Sequence, residues 1–223
     1  MAASPPGAGP GGTSYNRGSS EFERVLALSD GVFAIAMTLL VISIAPPTLR
    51  AAGSESELLH ALGHLWPQVV AFVIGFAVIG RYWSAHHQFF SLLEAIDRRL
   101  PHLNLVYLAS LAFLPFPTAL LGEYLSNPVA ASLYAVFVAL VSGFEVVLLR
   151  CAHRDRLLRR PLPGHVYRWG VKASLLPVGL FLATVPLAFP STTAAVVVWT
   201  LVVPVESLII DRRRPPDALE YFQ

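Results

Sequence analysis

From Val32 to Ile44 the chain carries no ionisable side chain, yet Ser29, Asp30 and Gly31 stand immediately before this run and Arg24 two turns earlier. Extended to residues 22–45, the run is long enough to cross the ~30 Å hydrocarbon core of a bilayer as a helix. Further apolar stretches follow at 65–85 (with a helical extension to residue 97), 101–122, 129–150, 168–188 and 192–210. Turn-forming residues mark the breaks: Pro46-Pro47, Pro101, Asn127-Pro128, Pro161 to Gly164, and Pro190. The stretches are continuously apolar and do not alternate at period two. The pattern therefore predicts an all-α polytopic membrane protein with six transmembrane helices and leaves no place for strands.

Composition agrees. The chain is 55% hydrophobic and only 13% charged, with a mean hydropathy of +0.59, whereas a soluble domain carries roughly 25% charge. Residues 1–20, rich in Gly, Pro, Ala and Ser, are expected to be disordered; 21–211 form the six-helix domain; 212–223 form a polar tail. Leu219 to Gln223 resemble the remnant of a protease-cleavage tag, and no cleavable signal peptide is expected. Cys151, the single cysteine, excludes an intrachain disulfide and a cysteine-rich metal site.

Arginine placement sets the orientation. With both termini cytoplasmic, the inner segments hold Arg17, Arg24, Arg98, Arg99, Arg212, Arg213 and Arg214, and the cluster from Arg150 to Lys172. Only Arg50 falls outside, and Arg81 lies within the second span. This is the positive-inside asymmetry of a plasma-membrane protein. The basic 150–172 loop reads as a signal against anionic lipid rather than a nucleic-acid surface, so membrane lipids are the expected partner. One lysine against fifteen arginines fits a GC-rich bacterial genome.

The polar intrusions fall at one depth. Asp30 stands ~12 Å along the first helix from Phe22. Trp83, His86 and His87 lie at the inner end of the second helix, Asn104 at the inner start of the third, and Glu145 and Glu206 one turn inside the fourth and sixth. A carboxylate at such a depth costs about 2.5–3.5 kcal/mol unless it meets a partner or water. Two readings stay open: interhelical polar contacts that only pack the bundle, or a network, including an Arg24–Asp30 pair, that supports a gated path. Adjacent histidines point ~100° apart on a helix, so His86 and His87 do not converge on one metal. With no Gly-x-Ser-x-Gly, no paired intramembrane aspartates and no His-Glu-x-x-His, no enzyme is expected.

Ile35, Thr38, Leu39 and Ile42 recur at i, i+3, i+4 and i+7 and share one helix face. Ala27, Gly31, Ala34 and Thr38 make an overlapping ladder of small residues. Periodicity alone leaves this face open to lipid, core or pore. Asp30 and Ile35 are separated by ~140° around the helix, so they face different surroundings.

Arg24 followed by Leu28-Ser29-Asp30-Gly31-Val32-Phe33-Ala34-Ile35 and Thr38-Leu39-Leu40 resembles the first-helix signature of the transmembrane protein 175 family. That family comprises bacterial relatives of the endosomal and lysosomal potassium channel. Trp83, His86, His87 and Phe90 resemble its second-helix motif, and Leu103-Asn104-Leu105 with Pro115-Phe116-Pro117-Thr118 its third. The resemblance implies a six-helix subunit in a homotetramer, its pore lined by the first helix of each of four subunits. It also implies K⁺ conduction without a carbonyl filter or cofactor. By position, Ile35 matches the constricting residue, Leu39 and Ile42 further layers, and Thr38 a hydroxyl layer, with K⁺ passing near Ile35 and Thr38. Arg24, Ser29, Asp30, Trp83, His86, His87 and Asn104 match the network holding the pore helix. Leu28 stands where the signature has phenylalanine, and Ser43 where the family often carries glutamate. The alternative is a proton-coupled secondary transporter with Asp30 and His86 or His87 as relay.

Overall fold

The computed structural model describes residues 14–48, 54–212 and 214–221, without the side chains of 202–209, 211 and 219. The expectations for residues 1–13, Arg50, Arg213 and the Glu206 side chain lie outside the described residues.

The first span forms α1, Ser20–Ile42. Ser19 opens it by accepting a hydrogen bond from the Phe22 N–H at 3.3 Å, and Glu21 and Glu23 place negative charge on its positive dipole end. A short helix unforeseen by the hydropathy pattern, α2 (Glu55–Gly63), follows. Its signal was present all the same. Ser54 and Glu57 form the Ser-x-x-Glu start of a helix, and the Glu57 N–H reaches Ser54 Oγ.

The second span is α3, Trp66–Ser91. It stops at Ser91 and does not continue to residue 97, because Ala95–Ile96 leaves the helix as strand β2. Its antiparallel partner is β1, Tyr15–Asn16. The expectation of no strands and of a disordered end through residue 20 is corrected here: the two-residue ladder draws the N-terminal segment onto the α3–α4 turn. Arg17 seals the contact by donating to the carbonyl of Ser91 at 3.0 Å.

The third span is two helices, α4 (Arg99–Phe113) and α5 (Pro115–Glu123), joined at Leu114. Pro115 and Pro117 lack backbone N–H donors, so the ladder breaks there. The remaining spans are α6 (Pro128–Arg154), α7 (Gly164–Ala188) and α8 (Thr192–Arg212). Five of these units are long and apolar enough to cross a membrane: α1, α3, the α4–α5 pair, α6 and α7. The described apolar part of α8 covers Thr192–Leu201.

The core gathers around α6, which packs on α4, α5 and α7. Tyr82 of α3 is fully buried, and its hydroxyl reaches the Val138 carbonyl at 2.8 Å and Ser142 Oγ at 2.7 Å. Trp199 ties α8 to α7 by donating to Thr184 Oγ1 at 2.9 Å, its ring stacked on Phe181. Gly75 is where three elements meet. A Cβ there would lie 2.7 Å from Thr118 of α5 and 3.2 Å from Leu40 of α1. The tail turns back as a 3-10 helix, Pro216–Glu220, and Ala218 is buried beside Leu149, Leu162 and Val166. Both described chain ends therefore sit on one face of the bundle, with the α3–α4 turn and the α6–α7 loop.

Candidate functional site: the exposed face of the first helix and its support

Helix α1 has two faces of opposite character. Phe22, Ser29, Phe33, Ala36 and Leu40 are buried against the subunit, at positions that repeat near seven residues. The opposite face is open. Ile35 is 60% exposed, Leu39 41% and Ile42 72%, and Thr38 is exposed beside them. The Thr38 hydroxyl donates to the Ile35 carbonyl at 2.9 Å. Its proton is thus committed to the backbone, and its oxygen lone pairs remain for an outside donor or cation.

On the buried side a directed hydrogen-bond chain holds α1. The Ser29 hydroxyl donates to the Val25 carbonyl at 2.8 Å. Asn104 Nδ2 donates to Ser29 Oγ at 2.9 Å, and Asn104 Oδ1 meets His86 Nε2 at 2.9 Å. Because Oδ1 only accepts, His86 must carry its proton on Nε2. Ser29, His86 and Asn104 are all buried. Tyr107 stacks on the His86 ring at 5.5 Å, and Phe33 lies 5.3 Å from it.

Of the partners expected for Asp30, which were Arg24, Trp83 and a histidine, the tryptophan is the one found. The Trp83 indole donates to Asp30 Oδ1 at 3.1 Å. Arg24 is exposed and makes no hydrogen bond or ion pair with the described residues of its own subunit, so the Arg24–Asp30 pair does not form within it. Arg24 extends from α1 into the surroundings, about one and a half turns from the aspartate. Of the two histidines, His86 joins the buried chain. His87 is exposed, and its ring lies 5.8 Å from that of Trp83. Ser29, Asn104 and His86 thus come together, Asp30 and Trp83 form a separate pair, and Arg24 and His87 stand outside both.

Three features of the support escaped the sequence. Phe33 and Tyr107 sandwich the buried chain, which no polar motif announces. Arg81 and Glu145 approach to 3.9 Å between α3 and α6. Their signal was the presence of two opposite charges inside otherwise apolar spans, the second and the fourth. Behind them lies a cavity of about 320 Å³, bordered by Arg81, Glu145, His86, Tyr107 and Trp169. His86 and Tyr107 line this cavity, and the buried His86 Nδ1 and Tyr107 hydroxyl have no hydrogen-bond partner among the described residues. Among the described residues no group of His, Cys, Asp and Glu side chains is arranged to hold a metal ion.

The family model for the endosomal/lysosomal potassium channel TMEM175 matches residues 24–115, which include the exposed face of α1 and the Ser29, Asn104, His86 and Asp30–Trp83 contacts. A potassium channel of Streptomyces collinus is 45% identical over 142 residues, covering 60% of this chain and 68% of that one. A potassium channel of Chamaesiphon minutus is 40% identical over 181 residues, covering 79% of this chain and 89% of the relative. The chain belongs to the TMEM175 family. The crystal structure of a lysosomal potassium-selective channel TMEM175 homologue from Chamaesiphon minutus superimposes with a TM-score of 0.75 at 35% identity. It matches 86% of this chain and 100% of its own. Like its TMEM175 relatives, the protein is an integral membrane cation channel and not an enzyme.

Proposed function

We propose that four copies of this subunit, each crossing the membrane six times, assemble around a central K⁺ pathway lined by α1. Both termini are cytoplasmic, in the inner membrane of a bacterium, and the permeant ion needs no cofactor. The observation that carries this reading is the open face of α1. A face left bare by its own subunit, with Thr38 among its isoleucines and leucine, suits a helix that meets other copies around an axis. Closed rotational symmetry turns such a surface into a ring.

Ile35 forms the narrowest ring and acts as a hydrophobic gate. A narrow apolar constriction sheds its water, and a cation there loses hydration without compensation; slight dilation rewets it. Leu39 and Ile42 extend the apolar lining, and the Thr38 oxygens supply acceptors next to the constriction. Selectivity for K⁺ is modest, because an apolar ring discriminates by diameter and partial dehydration alone. Ser29, Asn104, His86, Asp30 and Trp83 act from behind to fix the position of α1.

The transporter alternative requires protons to pass between Asp30 and a histidine. The Trp83 indole stands at Asp30 instead, and an indole N–H donates without relaying a proton. The His86 Nε2–H is given to Asn104, and no hydrogen bond joins Asp30 to His86 or His87 among the described residues. These contacts support the channel reading.

The test is K⁺ efflux from liposomes carrying wild type, Ile35→Ala or Ile35→Asn, with native mass measurement of the purified assembly. Both substitutions are expected to raise the resting leak, and the mass is expected to be that of four chains. Unchanged leak in both variants removes the gate, and a monomer mass removes the pore.

A further inference from the structure

A second site lies on the face of the bundle that carries the chain ends. Arg98, Arg99 and His102 from the first turn of α4 and Arg150 and Arg154 from the last turns of α6 border a groove of about 770 Å³. Its floor is apolar, made by Leu103, Val147 and the side of Cys151. The acids nearby are accounted for. Asp155 binds Arg154 at 3.0 Å, and Asp97 accepts the backbone N–H groups of Arg99 and Leu100 at 3.1 and 2.8 Å, as a helix cap. Arg99 and Arg150 take part in no ion pair among the described residues.

We propose that this groove is a specific seat for an anionic phospholipid, with the phosphate between Arg99 and Arg150 and an acyl chain running down the α4–α6 seam. A free anion would need only the arginines, and a nucleic acid would need a surface clear of the bilayer. Here the cations cap an apolar furrow on two membrane-spanning helices. At helical spacing below Leu103 the α4 face exposes Val106, and below Val147 the α6 face exposes Leu140 and Val136. From Arg150 to Leu140 the helix descends ~15 Å, the depth of one leaflet. Basic pockets between spans on the cytoplasmic side hold anionic lipid heads by this combination of charge and apolar stem.

The experiment counts lipids retained by the purified full chain in native mass spectrometry during titration with dioleoyl phosphatidylglycerol or dioleoyl phosphatidylcholine. Wild type is expected to hold phosphatidylglycerol in preference to phosphatidylcholine. Arg99→Gln with Arg150→Gln is expected to weaken that retention roughly 30-fold. The comparison pair, Arg168→Gln with Lys172→Gln, removes two cations from a separate groove on the same side, beside His165 and Trp169. It is expected to leave retention intact. Equal loss in both pairs, or no preference for the anionic lipid, overturns the proposal. A second arm keeps every arginine: Val147→Cys with Cys151→Ser is exposed to a short thiol cross-linker. Efficient joining of two subunits would show that another copy fills the groove and would overturn the lipid seat; no joining is expected. Neither readout depends on ion conduction, so failure here leaves the channel reading untouched.

Discussion

Asn104 is the residue on which the position of α1 turns. It holds His86 with its carbonyl and Ser29 with its amide, all three buried. Asn104→Ala leaves the His86 Nε2–H without an acceptor, a loss of about 1–3 kcal/mol. It should lower the unfolding temperature in detergent far more than His87→Ala, whose ring is exposed. Trp83→Phe keeps the ring and removes the donor to Asp30. Loss of ~1 kcal/mol of anchoring corresponds to roughly a 5-fold change in an equilibrium, so resting K⁺ leak in liposomes should rise by about that factor while the fold survives. The polar residues themselves were legible in the sequence, because each is costly in an apolar span. Their pairing was not. His86 and His87 are neighbours, and only the partner helix decides which one is buried; for Asp30 the sequence offered Arg24, Trp83 and a histidine together, and of these the indole is the one that bonds it. Pairings between spans depend on helix rotation, which short-range pattern does not set.

At the scale of elements, the prolines and asparagines that separate the spans located nearly every helix within a few residues. Pro115 was visible, yet an unbroken apolar run hid the division it makes at Leu114. The stop of α3 at Ser91 was equally hidden, since the residues beyond it are compatible with a helix and are taken up instead by pairing with Tyr15–Asn16. Gly75 shows how tightly α1, α3 and α5 are joined. Gly75→Ala sets a methyl against Thr118 and Leu40 and should cost about 1–3 kcal/mol, read as a lowered melting midpoint. Between α3 and α6, Glu145→Leu withdraws the carboxylate from the partly exposed Arg81 and should destabilise by about 1–3 kcal/mol, again read from the melting midpoint. Combining it with Arg81→Met should recover most of that, since an apolar pair of similar volume commonly replaces a buried ion pair without loss.

For the whole molecule, a shared core and an open face meet at α1. Helix α1 contributes Phe22, Phe33, Ala36 and Leu40 to the one core it shares with α3 to α8 and leaves its other face bare. The described chain ends and the α6–α7 loop close one side of the bundle. Arg17→Ala removes the bond to the Ser91 carbonyl and should raise amide exchange at Ala95 and Ile96 without altering exchange in α6. The bare face and the bound face belong to the same rigid rod. A larger side chain at Ala36, or a smaller one at Phe33, displaces Ile35 by the same distance that it displaces the buried surface. On the proposed reading, in which α1 lines the pathway, grafting Ile35, Thr38, Leu39 and Ile42 onto another scaffold transfers the lining but not the bore, because the bore is set by the buried residues behind it.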